Sequence, residues 1–410
     1  MQLKRVVITG TGIISPFGRG ISSLMGGLLE GKSSVVKVPE LAEIIGMRTM
    51  VAALVPGIDP KEIPRKFRRS MSNMSVFATL AAKDAAAQGG VSEEQLTGGR
   101  LGVSIGSTVG SPQTMQEFFR DFSIDNSLER MKSTLFFHIM NHSCAANVSQ
   151  ALGITGRILS PSSACSTSCQ AVGYAAEMIA MGKQDFMLCG GADEFHPLTS
   201  ATFDVMNAAS TNFNESPSRT PRPFDRDRDG VVCAEGSGIL LLESLDSALS
   251  RSATILAEIS GYATTSDPAS IANPNADNIA QCMRLALKDA DISPAEVEYV
   301  NAHATSTELG DIAESEAIFS VFGGHVPTSS LKGHMGHAMA ASGSLELAAC
   351  IEMLRNGYLV PTLNLENIDP LCGQIQHVQE LAHRDVNVLI KNNFALGGVN
   401  SSIILRRYEQ

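Results

Sequence analysis

Residues 161–170 read PSSACSTSCQ, and the pattern running outward from this stretch decides the fold class. Immediately downstream, Cys169, Val172, Ala176, Ile179 and Ala180 recur at helical spacing, which sets a helix over 166–181 with one face packed in a core. Cys165 stands where that helix opens, so unpaired amide N–H groups and the helix dipole act on its thiol and favour the thiolate. A free thiol with a pKa of about 8.5 is only slightly ionised at neutral pH, so this placement matters for a nucleophile. A cysteine among small residues is also what a packed core contains, and Cys169, one turn on, reads as such a core group.

Further out, short β-branched or apolar runs at 6–9, 101–105, 185–189, 238–242, 255–259, 297–301, 386–390 and 402–405 read as strands. Ala-rich stretches at 72–87, 278–289, 310–321 and 337–354 read as helices. Strands alternating with helices imply an α/β fold whose sheet is covered on both faces. Residues 1–250 and 251–410 each run strand–helix–strand–helix around a loop rich in reactive side chains, which suggests two units built on one plan.

Composition excludes several classes. A chain of 410 residues, 44% hydrophobic and 18% charged, can bury a large core without staples. Its net charge of −11 argues against a nucleic-acid binder, which shows a basic domain or stripe. No apolar run approaches the ~18 residues that a membrane span needs, and VVITGTGII near the start is too short and too rich in Thr and Gly for a signal segment. The eight cysteines are scattered without a CxxC pair, as in a reducing compartment. A cytoplasmic protein is expected.

Two histidine loops add chemistry. Residues 301–311, NAHATSTELGD, place His303 after an apolar strand; residues 329–343, SSLKGHMGHAMAASG, place Lys332 and His337 in a Gly-rich loop. Loops beyond strand ends are the usual place for catalytic groups in α/β sheets. Residues 391–400, KNNFALGGVN, form a third Gly-rich turn where backbone N–H groups can approach a ligand as an oxyanion hole. Other patterns fail. Residues 225–230 begin like a calcium loop, but Gly236 stands where the twelfth-position Glu is needed. Gly10 and Gly12 imitate a dinucleotide fingerprint that lacks its third glycine. His138 with His142, and His334 with His337, have metal-ligand spacing without a supporting Cys/His cluster, so no metal is expected. The basic group Lys61, Arg65, Lys66, Arg68 and Arg69 reads as either a solvated face or a docking patch for an acidic partner.

Together the motifs at 6–18, 162–168, 222–238, 301–307, 330–343 and 392–400 resemble the β-ketoacyl-[acyl carrier protein] synthases of the thiolase superfamily, most closely the type II elongating enzymes. The resemblance implies a thiolase fold with two similar halves in a five-layered αβαβα arrangement, dimeric, acting on thioesters carried by acyl carrier protein without a resident cofactor. It implies Cys165 as acyl acceptor, His303 and His337 as the pair for malonyl decarboxylation, and Lys332 as an electrostatic organiser. Asp311, Glu314 and Phe394 would support them, the N–H groups of Cys165 and Leu396 would form the oxyanion hole, and Thr305 and Thr307 would face the phosphopantetheine. Thr108, Val109, Phe203, Ala395 and Leu396 would shape the acyl pocket and its gate, and Arg65, Lys66, Arg68 and Arg69 would dock the carrier protein. The family's FGFGG gate here reads Phe394-Ala395-Leu396-Gly397-Gly398, and Ala304 replaces a Gly. Three functions follow: an elongating synthase of fatty acid biosynthesis, a specialised ketosynthase of a type II polyketide or polyene pathway, or a non-catalytic chain-length subunit of a heterodimer. The apolar stretch 138–151 is a candidate dimer surface.

Overall fold

The computed structural model describes residues 3–409. Five strands come from the first part of the chain: β1 (Val6–Ser15), β2 (Leu101–Gly106), β3 (Ile158–Leu159), β4 (Phe186–Asp193) and β5 (Gly236–Ser244). Six follow: β6 (Ala257–Ser266), β7 (Tyr299–Asn301), β8 (Pro327–Ser329), β9 (Gln376–His377), β10 (Val388–Ala395) and β11 (Val399–Arg406). All join one sheet in the order β9-β8-β7-β10-β11-β6-β1-β5-β4-β2-β3, with the short strand Gly18–Arg19 folded back on β1 as its twelfth member.

The order contains a repeat. Numbered within their own sets, with the edge strand β9 set aside, β3-β2-β4-β5-β1 and β8-β7-β10-β11-β6 both run third, second, fourth, fifth, first. Pair directions repeat as well: the third–second and second–fourth pairs are parallel, the fourth–fifth and fifth–first pairs antiparallel. The sets are sewn together by β1 and β6, where Val6–Ile8 pair antiparallel with Ala257–Ile259.

Helices α1 (Asn73–Gln88), α2 (Ser143–Leu152), α3 (Thr167–Ala180), α4 (Ala276–Asp289), α5 (Glu308–Phe322) and α6 (Ser342–Asn356) cover this sheet. One outer layer is α1 with α2, on β1, β2, β4 and β5; the other is α4, on β6 and β11, backed by α5. Between the half-sheets lie α3 and α6, touching each other and packing on strands of both sets. That is the αβαβα arrangement. A buried central helix has no polar stripe, and α3 accordingly buries Cys169, Ala171, Val172, Ala175, Ala176 and Ile179. All ten residues of β1 are buried, as a strand covered on both faces requires.

Several boundaries differ from the sequence reading. The helix expected over 337–354 begins only at Ser342. Gly336 at φ +69° breaks the chain there, and His337 instead donates its N–H to Val232 and accepts from Ala234, as an isolated bridge. The stretch 138–151 is largely core, with Cys144, Ala145 and Val148 fully buried beneath α1. Gly10 and Gly12 serve close packing: a Cβ on Gly12 would lie 1.7 Å from the carbonyl oxygen of Ala81 in α1. Gly12→Ala must therefore push α1 off β1. We expect a loss of at least about 2 kcal/mol in urea unfolding, and a change below half of that would contradict the contact.

Candidate active site

Cys165 lies in a single 3-10 turn, Ala164–Ser166, directly before α3. Ala164 adopts φ +46°, a left-handed value costly for a residue with a side chain. The turn is held from the other half of the molecule: Ser166 Oγ lies 3.0 Å from the carbonyl oxygen of Asn393 and 2.8 Å from that of Val399, its single proton shared between the two. The thiol is thus fixed where the two sets of strands meet.

His337 Nε2 stands 2.9 Å from Cys165 Sγ. His303 completes a cluster in which one donor atom of each group lies within 4.8 Å of the others, and the two imidazole rings meet edge to face at 5.3 Å. Phe394 packs edge-on against His303 at 6.2 Å. The backbone N–H groups of Cys165 and Leu396 both act on the thiol in the direction of its anion. His303 follows β7, and its loop is pinned by two carboxylates. Glu314 accepts from the N–H groups of His303 (2.8 Å) and Ala304 (2.6 Å), and Asp311 from those of Ser306 (3.1 Å) and Phe224 (2.8 Å).

Burial decides the protonation states. It pushes the Cys165 thiol up to about 12, although the Lys332 ammonium and the two N–H groups pull the other way. It drives His337 down to about 3 and His303 well below the usual imidazole range, with Lys332 acting in the same direction. Where the helix opening favours a thiolate, burial opposes it and favours the neutral thiol beside a neutral imidazole.

Lys332 is fully buried and lies off the cavity walls, donating to Glu346 Oε1 at 2.7 Å. A second buried ammonium, Lys391, pairs with Glu346 Oε2 at 2.6 Å. Glu346, Lys391 and Asn393 were not singled out from sequence. The available signal was Glu346, flanked by leucines in α6, and the polar run Lys391-Asn392-Asn393 inside an otherwise apolar strand.

Two cavities meet at Cys165, and Phe203 and Leu396 line both. One, of about 390 Å³, is walled by His303, Thr305, Thr307, His337, Phe394 and Ala395. The other, about 490 Å³, is bounded mainly by apolar side chains, with Thr108 and Val109 beside Pro112, Met115 and Phe119. Arg65, Lys66 and Arg69 are exposed and Arg68 is half-buried, all away from both cavities.

The β-ketoacyl synthase N-terminal domain matches residues 3–248 and the C-terminal domain residues 256–366. The chain belongs to the β-ketoacyl synthase family. It is therefore a condensing acyltransferase with the thiolase fold of that family. The family includes a 3-oxoacyl-[acyl-carrier-protein] synthase 1 of Haemophilus influenzae, 34% identical over 99% of this chain and 100% of the relative. A β-ketoacyl synthase from Burkholderia phymatum is 41% identical at a TM-score of 0.96, covering 99% of this chain and 100% of that one. A type II PKS acyl-carrier protein in complex with its ketosynthase bound to the hexaketide contributes a chain 31% identical at a TM-score of 0.91, with both chains fully covered. Among the described residues no helix is long and apolar enough to cross a membrane.

Two outcomes follow. A thiol titrating near 12 should be alkylated by iodoacetamide at a rate rising about tenfold per pH unit from about pH 7 to about pH 10; a plateau below about pH 8, with the label mapped to Cys165, would refute the neutral thiol. Glu346→Gln strands two buried ammonium groups and should remove about 3–5 kcal/mol of stability in chemical denaturation; a loss under about 1 kcal/mol would show the pairs to be dispensable.

Proposed function

We propose that the protein is a 3-oxoacyl-[acyl carrier protein] synthase that elongates acyl chains in fatty acid biosynthesis by a two-stage exchange at Cys165. The observation that carries this reading is Cys165 Sγ held 2.9 Å from a neutral His337, at the junction of two cavities. The acyl group arrives as a thioester of the carrier's phosphopantetheine, which runs past Thr305 and Thr307 in the first cavity. Cys165 attacks its carbonyl, the thiol proton passes to His337 and then to the departing phosphopantetheine thiolate, and the acyl chain lies in the apolar second cavity. The oxyanion formed is held by the N–H groups of Cys165 and Leu396, an arrangement worth roughly 2.7–4 kcal/mol for one donor.

A malonyl thioester then takes the vacated place. Its C–CO₂ bond breaks, carbon dioxide leaves, and the electron pair becomes an enolate beside the neutral imidazoles of His303 and His337. The enolate carbon attacks the acyl–Cys165 carbonyl, the Cys165 thiolate is expelled as the new carbon–carbon bond forms, and a proton from solvent restores the resting thiol. Burial removes competing water, and Lys332 supplies positive potential without a metal. No resident cofactor is needed, because both substrates bring their activation as thioesters. Replacing Cys165 with Ala should abolish condensation. Unchanged activity would refute the scheme and leave the chain as a non-catalytic chain-length subunit.

Arg65, Lys66, Arg68 and Arg69 support acidic acyl carrier protein as the partner, in a cytoplasmic homodimer. Charge reversal of the exposed Arg65 and Arg69 should raise the apparent KM for malonyl carrier protein on the order of tenfold while leaving a small thioester mimic unaffected; equal effects on both would count against docking. A second reading is a polyketide or polyene ketosynthase, favoured by Leu396 at the junction of the cavities in place of an aromatic gate and by the likeness to a type II polyketide ketosynthase. Turnover of saturated against polyunsaturated acyl carrier proteins decides it: saturated medium chains used as well or better would exclude the second reading.

A further inference from the structure

Asn393 sits on β10 with every polar atom of its side chain engaged. Its Nδ2 lies 2.9 Å from the carbonyl oxygen of Cys165, and the thiol of Cys169 lies 3.2 Å from Oδ1. A carbonyl oxygen has no proton to give, so the amide atom facing it must be the NH₂, and the thiol correctly meets the amide oxygen as donor. The same NH₂ lies 3.3 Å from His303 Nδ1. That ring nitrogen must therefore accept.

We propose that Asn393 is a positioning residue that fixes the His303 proton on Nε2. With Nδ1 committed as acceptor, a neutral imidazole carries its single proton on the other nitrogen. His303 is neutral because burial, Lys332 and His337 all oppose its charged form. Nε2 is its remaining nitrogen for the cavity that the ring lines. A donor there stabilises an enolate oxygen; the other tautomer would turn a lone pair on it. Asn393 also holds the Cys165 carbonyl, and its own carbonyl receives Ser166 Oγ, so one residue sets the nucleophile's turn and the tautomer of the imidazole beside it. The value of a donor at this position rests on the proposed decarboxylation; the tautomer does not.

Two measurements test this. Protein carrying ¹⁵N-labelled histidine, with the His303 signals assigned by their loss in His303→Gln, should show protonated Nε2 and bare Nδ1 at neutral pH. A protonated Nδ1 overturns the proposal whatever reaction the protein performs. Asn393→Ser, whose hydroxyl is too short to span both partners, should mix the two tautomers. It should slow decarboxylation of malonyl carrier protein on the order of 10²-fold, and by a clearly larger factor than it slows acyl transfer to Cys165, whose turn Asn393 also holds. Equal loss in both half-reactions with an unaltered His303 spectrum would make Asn393 merely structural and overturn the assignment. Wild-type protein that shows the Nε2 proton yet never decarboxylates the malonyl group would instead refute the function proposed above. If the Ser variant fails to fold, the wild-type spectrum alone decides.

Discussion

Glu346 divides one carboxylate between two ammonium groups, Lys332 and Lys391, and none of the three touches solvent. Separating them would leave charge stranded in a low dielectric, at a penalty of several kcal/mol. The three belong to the central helix α6, the loop ahead of it and strand β10, so this one constraint locks the middle layer to the second half-sheet. Its reach extends along β10. Lys391 and Asn393 are two residues apart and share a face of the strand. With Lys391 anchored, Asn393 is aimed at Cys165, Cys169 and His303.

The same burial explains why the resting site is neutral. A helix terminus favours an anion by about 1 kcal/mol, up to about 2 in sheltered geometry, whereas desolvation of a fully enclosed thiol moves its pKa by several units. Desolvation wins at Cys165, and the same effect, reinforced by Lys332, keeps both imidazoles uncharged. Such a site holds back its electrostatic stabilisation until charge appears. Under the proposed function, N–H groups and an ammonium already in place would meet an oxyanion or enolate without reorganising, the condition under which fixed dipoles lower a barrier most.

The candidate groups Cys165, His303, Lys332 and His337 were legible because they lie in short polar stretches that interrupt apolar periodicity. The α/β class was legible for the same reason, as runs of β-branched residues alternate with Ala-rich ones. What stayed hidden depends on contacts between distant segments. The pairing of β1 with β6, which makes one sheet of two, leaves no mark in either strand. Glu346, Lys391 and Asn393 occupy ordinary helix and strand positions, and their importance comes only from meeting across 45 to 228 residues of chain. The protonation state of Cys165 depends on enclosure, which local sequence does not report. The helix expected from residue 337 was misplaced because Ala-rich composition continues through a break that Gly336 imposes.

The repeated topology bears directly on the chemistry. Each set of strands sends its third member, β3 or β8, toward a central helix, and each of those helices is preceded by the same 3-10 turn, Ala164–Ser166 or Met339–Ala341. Both turns begin in the left-handed region, Ala164 at φ +46° and Met339 at φ +47°. The second residue of the first turn is Cys165, and of the second, Ala340. Their amide groups meet different fates. Ala340 N–H donates to the buried carboxylate of Asp193 at 2.8 Å, which Thr108 also holds by its N–H at 3.0 Å. Cys165 N–H has no such carboxylate and stays beside its own Sγ. One strained backbone device thus occurs twice, occupied by a permanent carboxylate in one copy and, under the proposed function, left for a transient oxyanion in the other.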